Sequence, residues 1–117
     1  MDKLTAPDNM NRMNDPDGSA LVRGLCGDTM EMYLVIDNGR VERASFHTDG
    51  CASSIACGSA AARLAGGRTL EEALRLSPAD VIDVVGDLPI ASAHCAILAI
   101  MTLHKSLADY LLRFEQG

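Results

Sequence analysis

The Asn38-Gly39 pair is the feature that most tightly constrains how this chain can fold. Both residues of such a pair accept positive φ, which closes a two-residue β-hairpin. Before it, Thr29 to Ile36 alternates, with Met30, Met32, Leu34 and Ile36 on one face and Thr29, Glu31, Tyr33 and Val35 on the other. That period of two predicts a strand. Val41 to Thr48 is the returning strand, and Ala20 to Leu25 is a short strand running into Cys26. The hairpin brings the chain from Asp28 back to near Cys51, so Cys26 and Cys51 are expected at the same end of a small antiparallel sheet.

The periodicity changes after Cys51. Ser53 to Ala65 is Ala-rich and closes with Gly66-Gly67, as a helix with a glycine cap does. Thr69-Leu70-Glu71-Glu72 is a capping box opening a short helix to about Leu76. Ser77, Pro78 and Gly86 mark the cap, first residue and stop of another. Leu88-Pro89 is a breaker. The longest helix is predicted from about Ser92 to Phe114, with Ile97, Leu98, Met101, Leu107, Leu111 and Leu112 on its apolar side. These elements predict an α+β domain, a small antiparallel sheet of about three strands with helices packed on it. Residues 1–18, rich in Asp, Asn, Pro and Met, are expected as a mobile arm, and 19–117 as the domain.

The chain has 117 residues, enough for one domain with its own core. It has no Trp, two Phe and two Tyr, so Ala, Leu, Val, Ile and Met must fill that core. A net charge of −6 and the lack of a basic stripe argue against a nucleic-acid partner. No apolar run is expected to approach the roughly 18–20 residues of a membrane span. The acidic stretch Met1 to Asp17 resembles neither a signal nor a transit peptide. A reducing, cytoplasmic setting is therefore expected, where four cysteines suit metal binding or catalysis better than disulfides.

Three short stretches carry the chemistry: Cys26-Gly27-Asp28, Gly50-Cys51-Ala52-Ser53 and His94-Cys95. Thiolate, imidazole and carboxylate are zinc ligands, and thiolates hold iron–sulfur clusters. Cys51 and Cys95 fall near predicted helix N-termini, where unpaired N–H groups and the helix dipole favour thiolate. The plainer reading makes both of them buried apolar-face cysteines. His94 beside Cys95 suits a metal site or an acid–base pair, against the simpler role of a solvated cap. Asp28 is either a hard, exchangeable ligand or a turn residue. Cys57 points about 240° around the helix from Cys51 and reads as core. His104 reads as surface or core edge, and His47 as a weak candidate for a supporting position. No Cys-x-x-Cys knuckle is present, so nothing points to a zinc finger.

In order and spacing these residues resemble the iron–sulfur cluster scaffold family of the IscU/NifU N-terminal type. The matching pieces are Cys26-Gly27-Asp28, Gly50-Cys51, Gly67-Arg68-Thr69-Leu70-Glu71-Glu72-Ala73-Leu74, His94-Cys95-Ala96 and Leu107-Ala108-Asp109-Tyr110. The resemblance implies assembly of a [2Fe–2S] cluster on Cys26, Cys51 and Cys95, with Asp28 or His94 as further ligands. It implies sulfur arriving as persulfide from a PLP-dependent cysteine desulfurase, with Cys26 and Cys95 as candidate acceptors. It also implies an iron donor, apo iron–sulfur proteins as recipients, a homodimer in the cluster-loaded state, and zinc in the same site. The chain would be a carrier rather than an enzyme.

Some features depart from the family. Leu88-Pro89-Ile90-Ala91-Ser92 stands where bacterial scaffolds carry Leu-Pro-Pro-Val-Lys, so the resemblance does not extend to the docking segment of the dedicated Hsp70-type chaperone. The arm lacks a clear Asn-Pro motif, and Cys57 is an extra thiol. The other readings are a zinc-dependent sulfurtransferase of the same superfamily and a structural zinc-binding interaction domain. The first usually carries an insertion for which Ala52 to His94 is too short. The second would ordinarily be closed by Cys and His, without Asp28.

Overall fold

The computed structural model describes residues 7–25 and 27–116, with side chains to residue 113. Strands β1 (Gly18–Arg23), β2 (Thr29–Asp37) and β3 (Arg40–Thr48) form an antiparallel sheet in the order β1-β2-β3. The hairpin forms as predicted, with Asp37 opposite Arg40 and φ of 53° at Asn38 and 73° at Gly39. One extra residue of β3, between Val41 and Arg43, makes a bulge opposite Val35 and Ile36. β1 begins and ends two residues before the predicted Ala20 to Leu25. The Gly24 N–H turns back to donate to the Asp28 carbonyl at 2.7 Å, which closes the loop and ends the pairing at Arg23 and Thr29.

The predicted inner face of β2 is the core: Met30, Met32 and Leu34 are fully buried, with Val41 and Phe46 from β3 beside them. Helix α1 (Ala52–Ala65) covers β3, and α4 (Ala93–Gln116) covers β1 and β2 and packs on α1. α1 lies close to the sheet because Gly58 has no side chain; a Cβ there would stand 2.5 Å from the Phe46 ring. α2 (Leu70–Leu74) opens with the predicted capping box, in which the Glu72 N–H donates to Thr69 Oγ1 and the Thr69 N–H donates to Glu72 Oε1. α3 (Pro78–Val85) starts after Ser77 and stops at Gly86, packing on α1 and α4. A 3₁₀ turn over Ile90–Ser92 then leads into α4.

Two expectations about α4 need correction. Leu98 and Leu107 are buried, but Ile97, Met101, Leu111 and Leu112 are exposed. The helix is flanked by the sheet, α1 and α3, so small residues (Ala96, Ala99, Thr102 and Ser106) make much of its buried face and admit close neighbours. Second, Ile90–Arg113 contains a stretch of mean hydropathy 1.4 that is long and apolar enough to cross a membrane by length and composition. Half of that stretch is buried inside the fold, so its apolarity is that of a core helix.

Residues 7–17 lie against the sheet and α1. Phe46 N–H donates to the Asn9 carbonyl at 3.0 Å on the free side of β3, a contact that covers a sheet edge. Asn9 exchanges two hydrogen bonds with Ser59 of α1. On the sheet's outer face the Arg12 guanidinium reaches both Glu31 oxygens at 3.1 Å and, together with Tyr33, holds that carboxyl below the usual range.

Candidate functional site

The loops at one end of the sheet are locked together by short-range polar contacts. Asp49 Oδ1 accepts from the Thr29 N–H at 2.8 Å, a bond that pulls the Asp49 carboxyl below its usual range. Thr48 Oγ1 donates to the Thr29 carbonyl at 2.6 Å and accepts from the Gly50 N–H at 3.1 Å. These bonds tie the β1–β2 loop, which carries Asp28, to the β3–α1 loop, which carries Cys51. The first turn of α4, with His94 and Cys95, comes to the same end.

The side chains meet around Ser54. Its Oγ donates to Asp28 Oδ2 at 2.9 Å and lies 3.5 Å from Cys95 Sγ and 3.9 Å from Cys51 Sγ. Cys95 Sγ is in turn 3.7 Å from Nε2 of His94. Of the five predicted site residues, Asp28, Cys51, His94 and Cys95 are thus linked through one hydroxyl and its neighbour. Cys26 lies outside the described residues. Among the described residues, no three His, Cys, Asp or Glu side chains converge as a ready metal-ligand group.

The thiols differ sharply in setting. Cys51 caps α1 in extended conformation and is exposed. The backbone N–H groups of Ser54 and, next, Ser53 at the start of α1 hold its pKa below the ordinary thiol value, as a helix N-terminus does. Cys95, in the first turn of α4, is 1% exposed. Cys57 is fully buried, as its helical position predicted, and burial pushes its thiol up to about 11, with the nearby charges of Cys95 and Cys51 adding to the rise.

The other histidines do not join this cluster. His47 projects from the outer face of the sheet, with Nδ1 3.3 Å from Arg12 and 3.9 Å from Glu31. His104 is half-buried in α4, and its buried Nε2 has no hydrogen-bond partner among the described residues. An apolar groove of about 220 Å³ runs beside His94, between Val22 and Leu25 on one side and Ile97, Leu98 and Met101 on the other.

Ser54 went unread in the sequence, and Gly50 was read there only as the neighbour of Cys51. Ser54 is three residues past Cys51, so both share one face of the first helical turn, a spacing that signals contact. Gly50 has no side chain because Asp28 and Ser54 fill the space: a Cβ there would be 2.6 Å from Asp28 Oδ2 and from Ser54 Oγ.

Known proteins agree with this architecture. The solved structure of a NifU-like protein (N-terminal) from Brucella abortus superimposes with a TM-score of 0.74 over 91% of this chain and 87% of that one, at 21% identity. The iron–sulfur cluster assembly scaffold protein IscU 1 of Archaeoglobus fulgidus is 37% identical over 110 residues, covering 93% of this chain and 72% of that protein. The scaffold protein IscU of Escherichia coli is 33% identical over 120 residues, covering 98% and 93%. The family model for the NifU-like N terminal domain matches residues 1–116. The chain therefore belongs to the NifU-like N-terminal domain family.

Proposed function

We propose that this chain is an iron–sulfur cluster assembly scaffold, a carrier that holds a nascent cluster and hands it to apo-proteins. The observation that carries this reading is the meeting of Asp28, Cys51, Cys95 and His94 at one end of the fold, in a chain whose relatives are named as such scaffolds. The donor chemistry suits a [2Fe–2S] cluster, since thiolates ligate iron strongly while a carboxylate or imidazole gives a more exchangeable position. Cys26, Cys51 and Cys95 supply the thiolates in this reading, with Asp28 or His94 completing the set. Zinc suits the same donors.

The residues divide the work by their settings. Cys51, exposed and biased toward thiolate by the start of α1, is open to an incoming iron or sulfur donor. A cysteine desulfurase is the partner whose chemistry fits. A scaffold thiolate attacks the outer sulfur of the desulfurase persulfide, the S–S bond breaks, and the desulfurase thiolate departs. Cys26 and Cys95 are the proposed acceptors. An iron donor and apo iron–sulfur proteins complete the cycle, in a reducing, cytoplasmic setting that keeps the thiols available.

Anaerobic reconstitution with ferrous iron, cysteine and a cysteine desulfurase tests the assignment. Visible absorption and assays for iron, sulfide and zinc are followed in the wild type and in Cys51→Ala. The scaffold predicts stoichiometric iron and sulfide with charge-transfer bands, lost in the variant. Tightly held zinc with no cluster, and a stimulated desulfurase, would instead make the chain a sulfurtransferase.

A further inference from the structure

Ser54 is fully buried, yet its hydroxyl reaches Asp28, Cys95 and Cys51 from a single point. Alanine would suit this helix better by propensity and would bury no polar atom. What the serine adds is one hydrogen and two acceptor lone pairs. The hydrogen is directed to Oδ2 of Asp28, leaving the second carboxylate oxygen available to a metal. The bare Cα of Gly50 leaves room for this pair, since a Cβ there would strike both partners.

We propose that Ser54 is a positioning residue that holds the Asp28 carboxylate for the cluster's iron, and so tunes how firmly the site keeps metal and how readily it releases the cluster. Ligating carboxylates are commonly held by such a hydrogen bond from a neighbour that touches no metal itself. Ser54 acts through Asp28, and its effect must therefore vanish when Asp28 is absent. The inference rests on the scaffold reading.

The test is a double-mutant cycle of Ser54→Ala and Asp28→Ala with two readouts. Zinc affinity is measured by chelator competition with Zn²⁺ alone, and the decay of the reconstituted cluster is followed by visible absorption. Ser54→Ala is expected to weaken zinc about 10- to 100-fold and to lengthen cluster lifetime, in the same direction as expected for Asp28→Ala. In the Asp28→Ala background it changes neither. General loss of structure would weaken zinc and shorten cluster lifetime together. Unchanged zinc affinity and decay in Ser54→Ala overturn the inference, as does an equal loss with and without Asp28. A wild type that takes up neither cluster nor zinc defeats the scaffold reading itself, whereas a normal wild type with an indifferent Ser54→Ala defeats this inference alone.

Discussion

Gly50 packs its bare Cα against the Asp28 carboxylate, where a Cβ would lie 2.6 Å from Oδ2. The same Cβ would lie 2.6 Å from Ser54 Oγ, so the two atoms of the Asp28–Ser54 hydrogen bond would both have to move. Gly50→Ala should therefore displace Asp28 and cost about 1–3 kcal/mol, the range for overpacking a filled site. Urea denaturation gives the stability, and zinc titration should show weakened binding. Stability within about 0.5 kcal/mol of wild type and unaltered zinc affinity, the behaviour of an ordinary surface position, would mean the site accommodates the methyl group.

Gly58 makes the comparable contact in the core. Its hypothetical Cβ meets the Phe46 ring at 2.5 and 2.7 Å, and Phe46 is fully buried beneath α1. Alanine gains up to about 1 kcal/mol of helix propensity over glycine, but the ring has no solvent side to move toward. Gly58→Ala is expected to be destabilising by about 1–3 kcal/mol despite the better helix former. A more stable variant in thermal or urea unfolding would show that α1 can rise off the sheet.

What could be read in the sequence, and what could not, follows from the range of the interactions. The hairpin was legible because Asn38 and Gly39 set their own dihedral angles, and the caps of α2 and α3 because Thr69–Glu72 and Ser77–Asp80 bond within three residues. The buried face of α4 was not, because small residues such as Ala96 and Ala99 carry it while Ile97 and Met101 point outward. Asp28, Cys51, His94 and Cys95 stood out by residue type. Ser54 did not, because a serine in an Ala-rich helix is unremarked until Asp28 arrives from another loop.

The contrast between Cys51 and Cys57 predicts selective alkylation. Cys51 is exposed, and its thiolate is favoured by the Ser54 and Ser53 N–H groups, so iodoacetamide should modify it at lower pH than an ordinary thiol. Cys57 should remain unmodified in the folded chain. Peptide mass mapping after timed alkylation reads both positions. Cys57 reacting as fast as Cys51 would contradict its burial.

The Cys57 thiol also makes an alkaline contribution with a defined sign. Its folded pKa is raised to about 11 by burial, above the ordinary value, so folding favours the protonated form. That contribution is intact below the unfolded pKa and is lost as pH rises through the folded one. Between pH 9 and about 11 it should steepen the fall of wild-type stability by at most about 1.4 kcal/mol per pH unit. Cys57→Ser should show a shallower alkaline fall while keeping normal cluster stoichiometry after reconstitution. Loss of the cluster would make Cys57 a ligand.

Asp28 gives the sharpest separation between holding metal and releasing cargo. A carboxylate is a hard oxygen donor among soft thiolates, and its bond to iron exchanges more readily than theirs. If Asp28 ligates iron as proposed, Asp28→Ala removes the exchangeable position, and the chromophore of the reconstituted cluster should decay more slowly. Zinc, for which the proposed site would offer this carboxylate as one of its ligands, should bind at least about tenfold more weakly. The two effects run in opposite directions, which no loss of folding produces. Anaerobic decay followed by visible absorption, with zinc competition on the same preparation, reads both. An unchanged decay rate would remove Asp28 from the iron site and leave His94, 3.7 Å from Cys95 Sγ, as the ligand that completes it.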